Sequence, residues 1–516
     1  MPRNQSTRRN STPGYLFMAP RGAAIRQNGA VMYSDDGTMI WAGHDYGEAL
    51  SFQVANYMGE PHILFWQGEF FGLGVGHGWN LMLNKHYEVV ANFTTDTEGD
   101  AGPTLADFHE AQITSNNTAL LVAYEFKKMD LRPFGGPEEG WILDCVAQEA
   151  NITTSKGIWT WKSSQHIDPS ECYTEPGSSG VDQASAWDYF HINSLEKDNF
   201  GNYLISARHC NAIYYLDGND GHVIWRLGGR QSSFQMGENT HFSYQHDPRW
   251  ITLTETSGTL SLFNNAGMYG VADEVSSRGM ILKLDFVAMT ATLEREYRPY
   301  LPVISESQGS MQVYDNGNVL VGWGSMPFFS EYTPEGEMLW AAQFGVDTNS
   351  SGYRVLRSNW TGLPNDKPSV ELVLAKSSML SVYASWNGAT EISKWELFGA
   401  SDEQGTKAVS LYNRTKSGFE TTISIPTNLE KYDDYTHFAM RAVDRNNQPL
   451  GISDFVKLQV PNTTTTATND NSGNSGGNQS NDNSGGNQNT AALSKPMTAY
   501  ALGLALISSF TLPLWV

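Results

Sequence analysis

One short unit recurs along this chain, and it constrains the fold more than any other feature. It is an Asp-Gly, Asn-Gly or similar turn followed by a short strand ending on Trp or another aromatic. It reads "DDGTMIWAG" at 35–43, "TSKGIWTWKS" at 154–163, "NDGHVIWRLGG" at 219–229 and "PEGEMLWAAQFG" at 334–345. Weaker copies are "NKHYEVVANF" at 84–93 and "MTATLEREY" at 289–297. Apolar partner strands such as "HILFWQGEF", "TALLVAYEF" and "GNVLVGWGS" lie between the copies, and helical periodicity is almost absent. An up-and-down four-stranded sheet cannot cover both of its faces alone. Radial packing of such sheets does so, which predicts an all-β chain with a six-bladed β-propeller over residues 14–360. A two-layer sandwich is the rival, but it would not restart on a turn–strand–Trp unit. From residue 366 the pattern changes to plain alternation, with Trp386 and Trp395 on adjoining strands and Tyr435 opening a late one. That predicts a small fibronectin-III or Ig-like sandwich over 366–460.

The two ends of the chain disagree about compartment. Residues 1–13 read as a disordered N-terminus, with basic residues but no apolar segment of signal-peptide kind. Residues 461–490 are a Thr, then Asn/Ser/Gly tract that cannot pack, so it reads as a stalk. Residues 491–516 end on "ALGLALISSFTLPLWV", which resembles a GPI-attachment signal with its site at Asn489 and Ser484 or Gly485 as rivals. A tail-anchored helix is the alternative. The expected location is the cell surface through the secretory route, with the signal peptide missing from this gene model. Ten Asn-x-Ser/Thr sequons agree with that route. Those at Asn92, Asn116, Asn151, Asn349, Asn359 and Asn413 fall within the predicted β-domains, and Asn4, Asn10, Asn462 and Asn478 begin the others. Lys and Arg number 33 against 55 Asp and Glu, a net charge of −22, which argues against nucleic acid as a partner. Three cysteines rule out a disulfide-dense scaffold and a four-Cys zinc site. From compartment and count, Cys145 and Cys172 are expected to pair, leaving Cys210 free.

Histidines carry the chemical argument. His109 in "ADFHEAQIT", His191 in "WDYFHINSL" and His246 in "FSYQHDPRW" each precede a strand, while Arg208 and His209 end one in "GNYLISARHC". Arg226 lies on the next strand, in "GHVIWRLGG". Strand ends of successive blades meet across a propeller axis. Imidazoles and a planar guanidinium gathered there suit a tetrahedral oxyanion. Each residue also has a plainer reading: a polar strand edge for His109, a turn through Asn193 and Ser194 for His191, a satisfied cluster for Arg208–His209, a local pair with Asp247 for His246. No Gly-x-Ser-x-Gly elbow, His-Glu-x-x-His or Walker loop is present, and no metal site is expected.

These segments resemble the arylsulfotransferase family in its fungal branch. The likeness covers most of 14–360 and is densest over 187–267, where His-x-Asn-Ser, Ser-x-Arg-His, Ile-x-Trp-x-Leu-Gly-Gly and Gln-His-Asp follow in order. Family members resemble six-bladed propellers that move a sulfuryl group from a phenolic sulfate to a phenol through a sulfohistidine, without a phosphosulfate nucleotide. The resemblance implies no cofactor, an aryl sulfate donor and a phenolic acceptor. Carried across by motif, it makes His246 the nucleophile, His209 and Arg226 the sulfuryl ligands and His109 the acid/base partner. His191, Arg208 and Asn193 would lie on the substrate side. Cys210 stands where the bacterial pattern usually has Gln, which bears on acceptor choice. A silent cell-surface propeller and a hydrolase on the same scaffold are the competing functions.

Overall fold

The computed structural model describes residues 11–268, 270–346, 349–375, 379–426 and 434–459. Residues 1–10, the stalk, the apolar tail and Asn489 lie outside them, and so do Asn4, Asn10, Asn462 and Asn478. Thr12, assigned from sequence to a disordered end, is tied down: its N–H donates to Glu331 Oε1 at 2.7 Å and its carbonyl accepts from Arg357.

The described chain is nearly all β, and its helical pieces are single turns of three or four residues. Between Tyr15 and Ser358 it forms six main antiparallel sheets, five of them running in simple chain order. The second sheet holds Ala49–Tyr57, Glu60–Phe70, Gly76–Leu83 and Val89–Phe93, and the third Ala111–Ile113, Thr118–Met129, Gly140–Asn151 and Gly157–Lys162. Ile192–Lys197, Tyr203–Ala207, Ala212–Leu216 and Val223–Gly228 make the fourth. In the fifth, His246–Leu253, Ser257–Asn264, Arg278–Asp285 and Thr290–Tyr297 follow in order, with Gln235–Met236 added in parallel at the edge. The sixth runs Ser310–Val313, Val319–Gly322, Phe328–Tyr332 and Met338–Gln343. The first sheet joins the two ends of this stretch. Ser351–Ser358 pairs antiparallel with Tyr15–Arg21 (Leu16 opposite Arg357, Phe17 opposite Leu356), and Val31–Tyr33 and Met39–Ala42 complete it.

Every copy of the turn–strand–aromatic unit is the fourth strand of one of these sheets. The reason is packing between sheets. Trp41 stacks on Phe52 of the next sheet, with ring centroids 5.5 Å apart, and Trp225 meets Phe286 and Trp250 of the sheet after it. A large flat side chain covers the sheet face that a four-stranded unit leaves open, and aromatic pairs add about 0.5–1.5 kcal/mol beyond area burial. The first strands do the opposite work. Most of them neighbour one another from sheet to sheet, Ser351–Ser358 touching both Ser310–Val313 and Ala49–Tyr57, while Ile192–Lys197 packs against the second strand of the third sheet, Thr118–Met129. Their leading ends therefore converge.

Beyond Trp360 lie two further sheets around one core. One holds Ser369–Leu374, Met379–Ser385 and Glu420–Pro426; the other holds Val409–Thr415, Lys394–Ala400, His437–Val443 and Pro449–Ile452, with Val456–Lys457 beside His437–Val443. Burial alternates along Met379–Ser385 as a one-faced strand requires, and Trp395, Leu397, Ile423 and Met440 fill the space between the sheets. This part is bound to the six-sheet part by backbone-grade contacts. Asn387 and Ala42 exchange two hydrogen bonds of 2.9 and 3.0 Å, Gly388 N–H donates to Ile40 O, and Tyr87 Oη donates to Gly388 O at 2.7 Å.

Candidate active site

Three of the imidazoles sit at the leading ends of first strands. His109 precedes Ala111–Ile113, His191 precedes Ile192–Lys197 and His246 opens His246–Leu253. His209 comes from a different place, the single 3₁₀ turn Arg208–Cys210 that links the second and third strands of the fourth sheet. The backbone turns sharply to deliver these side chains. His191 and Asp247 are left-handed, at φ 54° and 55°, as are Tyr244, Ala266 and Gln308 nearby. Such conformations cost roughly 1–3 kcal/mol each in non-glycine residues and concentrate where a fold holds a functional geometry.

All four imidazoles are buried. The His191 ring centroid lies 4.8 Å from those of both His109 and His209, and Tyr353 sits 5.4 Å from His109 and 6.4 Å from His246. Arg208 joins them, its Nη1 donating to His209 Nε2 at 2.8 Å and lying 2.9 Å from Met268 Sδ, and its Nη2 donating to Glu306 O at 2.8 Å.

Each ring has its Nδ1 assigned to an acceptor. His109 Nδ1 meets the Asp107 carboxylate, and His191 Nδ1 meets Asp188 Oδ2 at 2.5 Å. His209 Nδ1 donates to Asp188 O at 2.7 Å. His246 Nδ1 donates to Asn265 Oδ1 at 2.7 Å, and the amide of Asn265 is itself oriented, because its Nδ2 donates to Ser305 O and Gln308 O. With Nδ1 as the donor, Nε2 carries the lone pair in each neutral ring. At His246 that nitrogen accepts the Gln308 N–H, at 3.2 Å.

Burial sets the protonation. It holds His246 well below the ordinary imidazole value, with the Arg208 charge adding to the effect, and it does the same at His191, helped by His109 and Arg208. His209 is lowered to about 3 by burial, against the opposing pull of the Asp188 carboxylate. Asp188 is raised by burial, which His209, Arg208 and His109 partly counter. Near neutral pH His191, His209 and His246 are thus uncharged imidazoles beside one guanidinium. A neutral imidazole is a nucleophile, and Arg208 is a ready partner for an anionic group. Asp188, His191 and His209 offer ligand atoms within 4.8 Å of one another, as a cation site would. Arg208 already occupies His209 Nε2, however, so this donor set fits an anion better than a metal ion.

Of the residues singled out from sequence, the structure brings His109, His191, His209, His246 and Arg208 together. Asn193 lies beside them, its Nδ2 donating to Gln245 O. Arg226 requires a correction. It lies on the fourth strand of its sheet, remote from the first strands, and forks both Glu171 oxygens at 2.8 and 3.1 Å. Arg208 is the guanidinium among the imidazoles. The cysteine pairing is corrected as well: Cys172 bonds Cys210, and Cys145 is the buried free thiol. Cys145 sits within the long strand Gly140–Asn151 opposite Tyr124, whereas Cys172 and Cys210 end two short turns that pack together. Asp107, Asp188, Asn265 and Tyr353 were missed. The Asp-x-His spacing of 107–109 and the Asp-x-x-His spacing of 188–191 are the signals that could have found the first two.

Sheets of this kind converging on buried neutral imidazoles define an all-β protein with an anion-ready, water-poor site. More particularly, the chain belongs to the arylsulfotransferase (ASST) family, whose family model matches residues 53–345. Membership implies an arylsulfotransferase-like activity with an aryl sulfate donor and a phenol acceptor. No curated protein matches the chain. Among solved structures, it is similar to a protein of unknown function from Bacteroides caccae at 12% identity and a TM-score of 0.37, covering 67% of this chain and 98% of that one. It is also similar to a putative 6-phosphogluconolactonase from Bacteroides fragilis, at 8% identity and a TM-score of 0.34, covering 68% and 99%.

Proposed function

We propose that the six sheets are the blades of a six-bladed β-propeller and that the histidine cluster on its axis transfers sulfuryl groups by way of a sulfohistidine at His246. The succession of neighbouring first strands, with Ser351–Ser358 touching those of the second and sixth sheets while pairing with Tyr15–Arg21, supports the propeller. The observation that carries the chemistry is the held tautomer of His246, with Nδ1–H on Asn265 and a lone pair on Nε2, near enough to Arg208 to feel its charge. Nε2 of His246 attacks the sulfur of the aryl sulfate. An N–S bond forms, the S–O bond to the aryl group breaks, and the phenolate departs. Arg208 binds the sulfuryl oxygens, whose charge it stabilises in a site from which water is largely excluded. In the second half-reaction His109, aligned by Asp107, takes the proton of the acceptor phenol, whose oxygen attacks sulfur and frees His246. His109 then returns that proton to the next leaving phenolate.

The downstream two-sheet part is read as a fibronectin-III-like accessory module. The surface position of the six sequon asparagines between Asn92 and Asn413, every one of them exposed, supports a glycosylated protein of the cell surface, with the tail as its lipid-anchor signal at Asn489.

The test is intact mass after incubation with 4-nitrophenyl sulfate, with and without phenol. A covalent adduct of about 80 Da, one SO₃, is expected on the wild type and absent from His246→Ala. Release of 4-nitrophenol without an adduct, or an adduct that persists in His246→Ala, would exclude this route.

A further inference from the structure

Behind the histidine cluster lies a buried ion-pair network built from its chain neighbours. Glu110 follows His109, Asp247 follows His246 and Arg354 follows Tyr353. Glu110 accepts from Arg354 Nη1 and Nη2 at 2.9 and 3.1 Å and from Arg249 Nη2 at 2.5 Å. Asp247 Oδ1 meets Arg249 Nε and Nη2 at 3.0 and 2.8 Å and Arg354 Nε at 3.4 Å. The same four side chains also bind backbone. Glu110 accepts from Leu195 N–H, Arg249 donates to Leu195 O, Arg354 to Asn193 O, and Asp247 Oδ2 accepts from Met311 N–H. Five of the six sheets are pinned at one point in this way, and four of them, the first, third, fourth and fifth, also deliver a site residue.

Stability does not account for such a network. Two carboxylates and two guanidiniums out of water are often no better than apolar side chains of the same volume. Directional bonds do what apolar packing cannot, which is to fix distances. Burial pushes the Glu110 carboxyl up, but Arg249 and Arg354 outweigh it and hold the group at about 2, so the network stays ionised.

We propose that Glu110, Asp247, Arg249 and Arg354 are positioning residues that hold His109, His246 and Tyr353 in register across sheets. This rests on the sulfuryl-transfer reading above. Glu110→Gln keeps the shape and removes the charge, and Arg354→Lys keeps the charge and removes the fork. In the full chain with 4-nitrophenyl sulfate, each variant is expected to lose about 10–100-fold in kcat, since a displacement of 1 Å can cost on the order of 10². KM is expected to stay within about twofold (the Arg208 contact being untouched), and the single-turnover rate of the mass adduct falls in parallel with kcat. In histidine-labelled protein, the ring resonances of His109 and His246 shift together. A folded variant with wild-type kcat and adduct rate, or with the whole loss in KM or melting temperature, overturns the proposal. If Glu110→Gln does not fold, Arg354→Lys decides alone. If the wild type forms no adduct, the sulfuryl-transfer reading fails, and the ring resonances still decide whether the network positions the two histidines.

Discussion

Two regions of this molecule are made of the same material and use it differently. In the two-sheet part beyond Trp360, the core is aliphatic and aromatic, and among the described residues its buried polar side chains are Thr421 and Ser453. In the six-sheet part, the leading ends of the first strands bury His109, Glu110, Asn193, His246, Asp247 and Arg354, and the turn Arg208–Cys210 adds buried Arg208 and His209. Burying charge is costly unless it is paired. The difference shows that buried polarity belongs to the six-sheet part, at these strand ends and also along inner strands, as at Asp144, Glu149, Arg278 and Glu331, while the described core of the downstream module carries packing.

Substitutions sharpen that contrast. Trp395→Ala should cost about 3–5 kcal/mol of stability, read as a lowered melting temperature or denaturant midpoint, because it hollows the core between the two sheets at a fully buried ring. Adduct formation at His246 in the surviving native protein should be unchanged. If it is lost, the downstream module is part of the site and the contrast fails. Arg208→Met should lower kcat by about 10²–10³, the usual cost of removing one donor to a developing oxyanion. His209 titrates at about 3 in the folded chain because burial opposes its charge, against about 6.5 unfolded. Its folded value is depressed, so the native state binds fewer protons. Stability is then full above pH 6.5 and falls, by about 1.4 kcal/mol per pH unit from this group, as pH drops toward 3. Urea titrations at stepped pH should show that slope on top of like contributions from His191 and His246, and His209→Gln should remove its own share of it. Arg226→Ala should have the smallest effect on activity, kcat within about twofold, while costing up to about 3 kcal/mol of stability, since it strips the counter-charge from the buried Glu171. A large kcat loss there would restore Arg226 to the site.

The sheets were legible because their outer strands repeat. A turn and an aromatic are local signals, and all six copies fell on fourth strands. The histidines could be singled out because each precedes or ends a strand. Which guanidinium joins them was not legible, since Arg208 and Arg226 both lie near glycine or turn residues in one sheet and differ only in distance from its first strand. The resemblance favoured Arg226; three-dimensional placement favours Arg208. The disulfide was missed for a similar reason. Its two cysteines sit on turns whose contact depends on how the fourth sheet packs against the loop before it, and Cys145, the one placed in a recognisable strand, is sealed among apolar neighbours. Asn265 and Tyr353 were invisible because orienting a ring across sheets leaves no spacing in the sequence.

The pairing of Ser351–Ser358 with Tyr15–Arg21 has a consequence for the making of the protein. The ribosome produces the strand carrying Tyr353 and Arg354 more than 300 residues after its partner. Until that strand emerges, Glu110 has lost half of its counter-charge and the first sheet has a bare edge. A nascent chain therefore lacks both a completed first sheet and a fully paired Glu110 until the last strand of the six-sheet part has emerged.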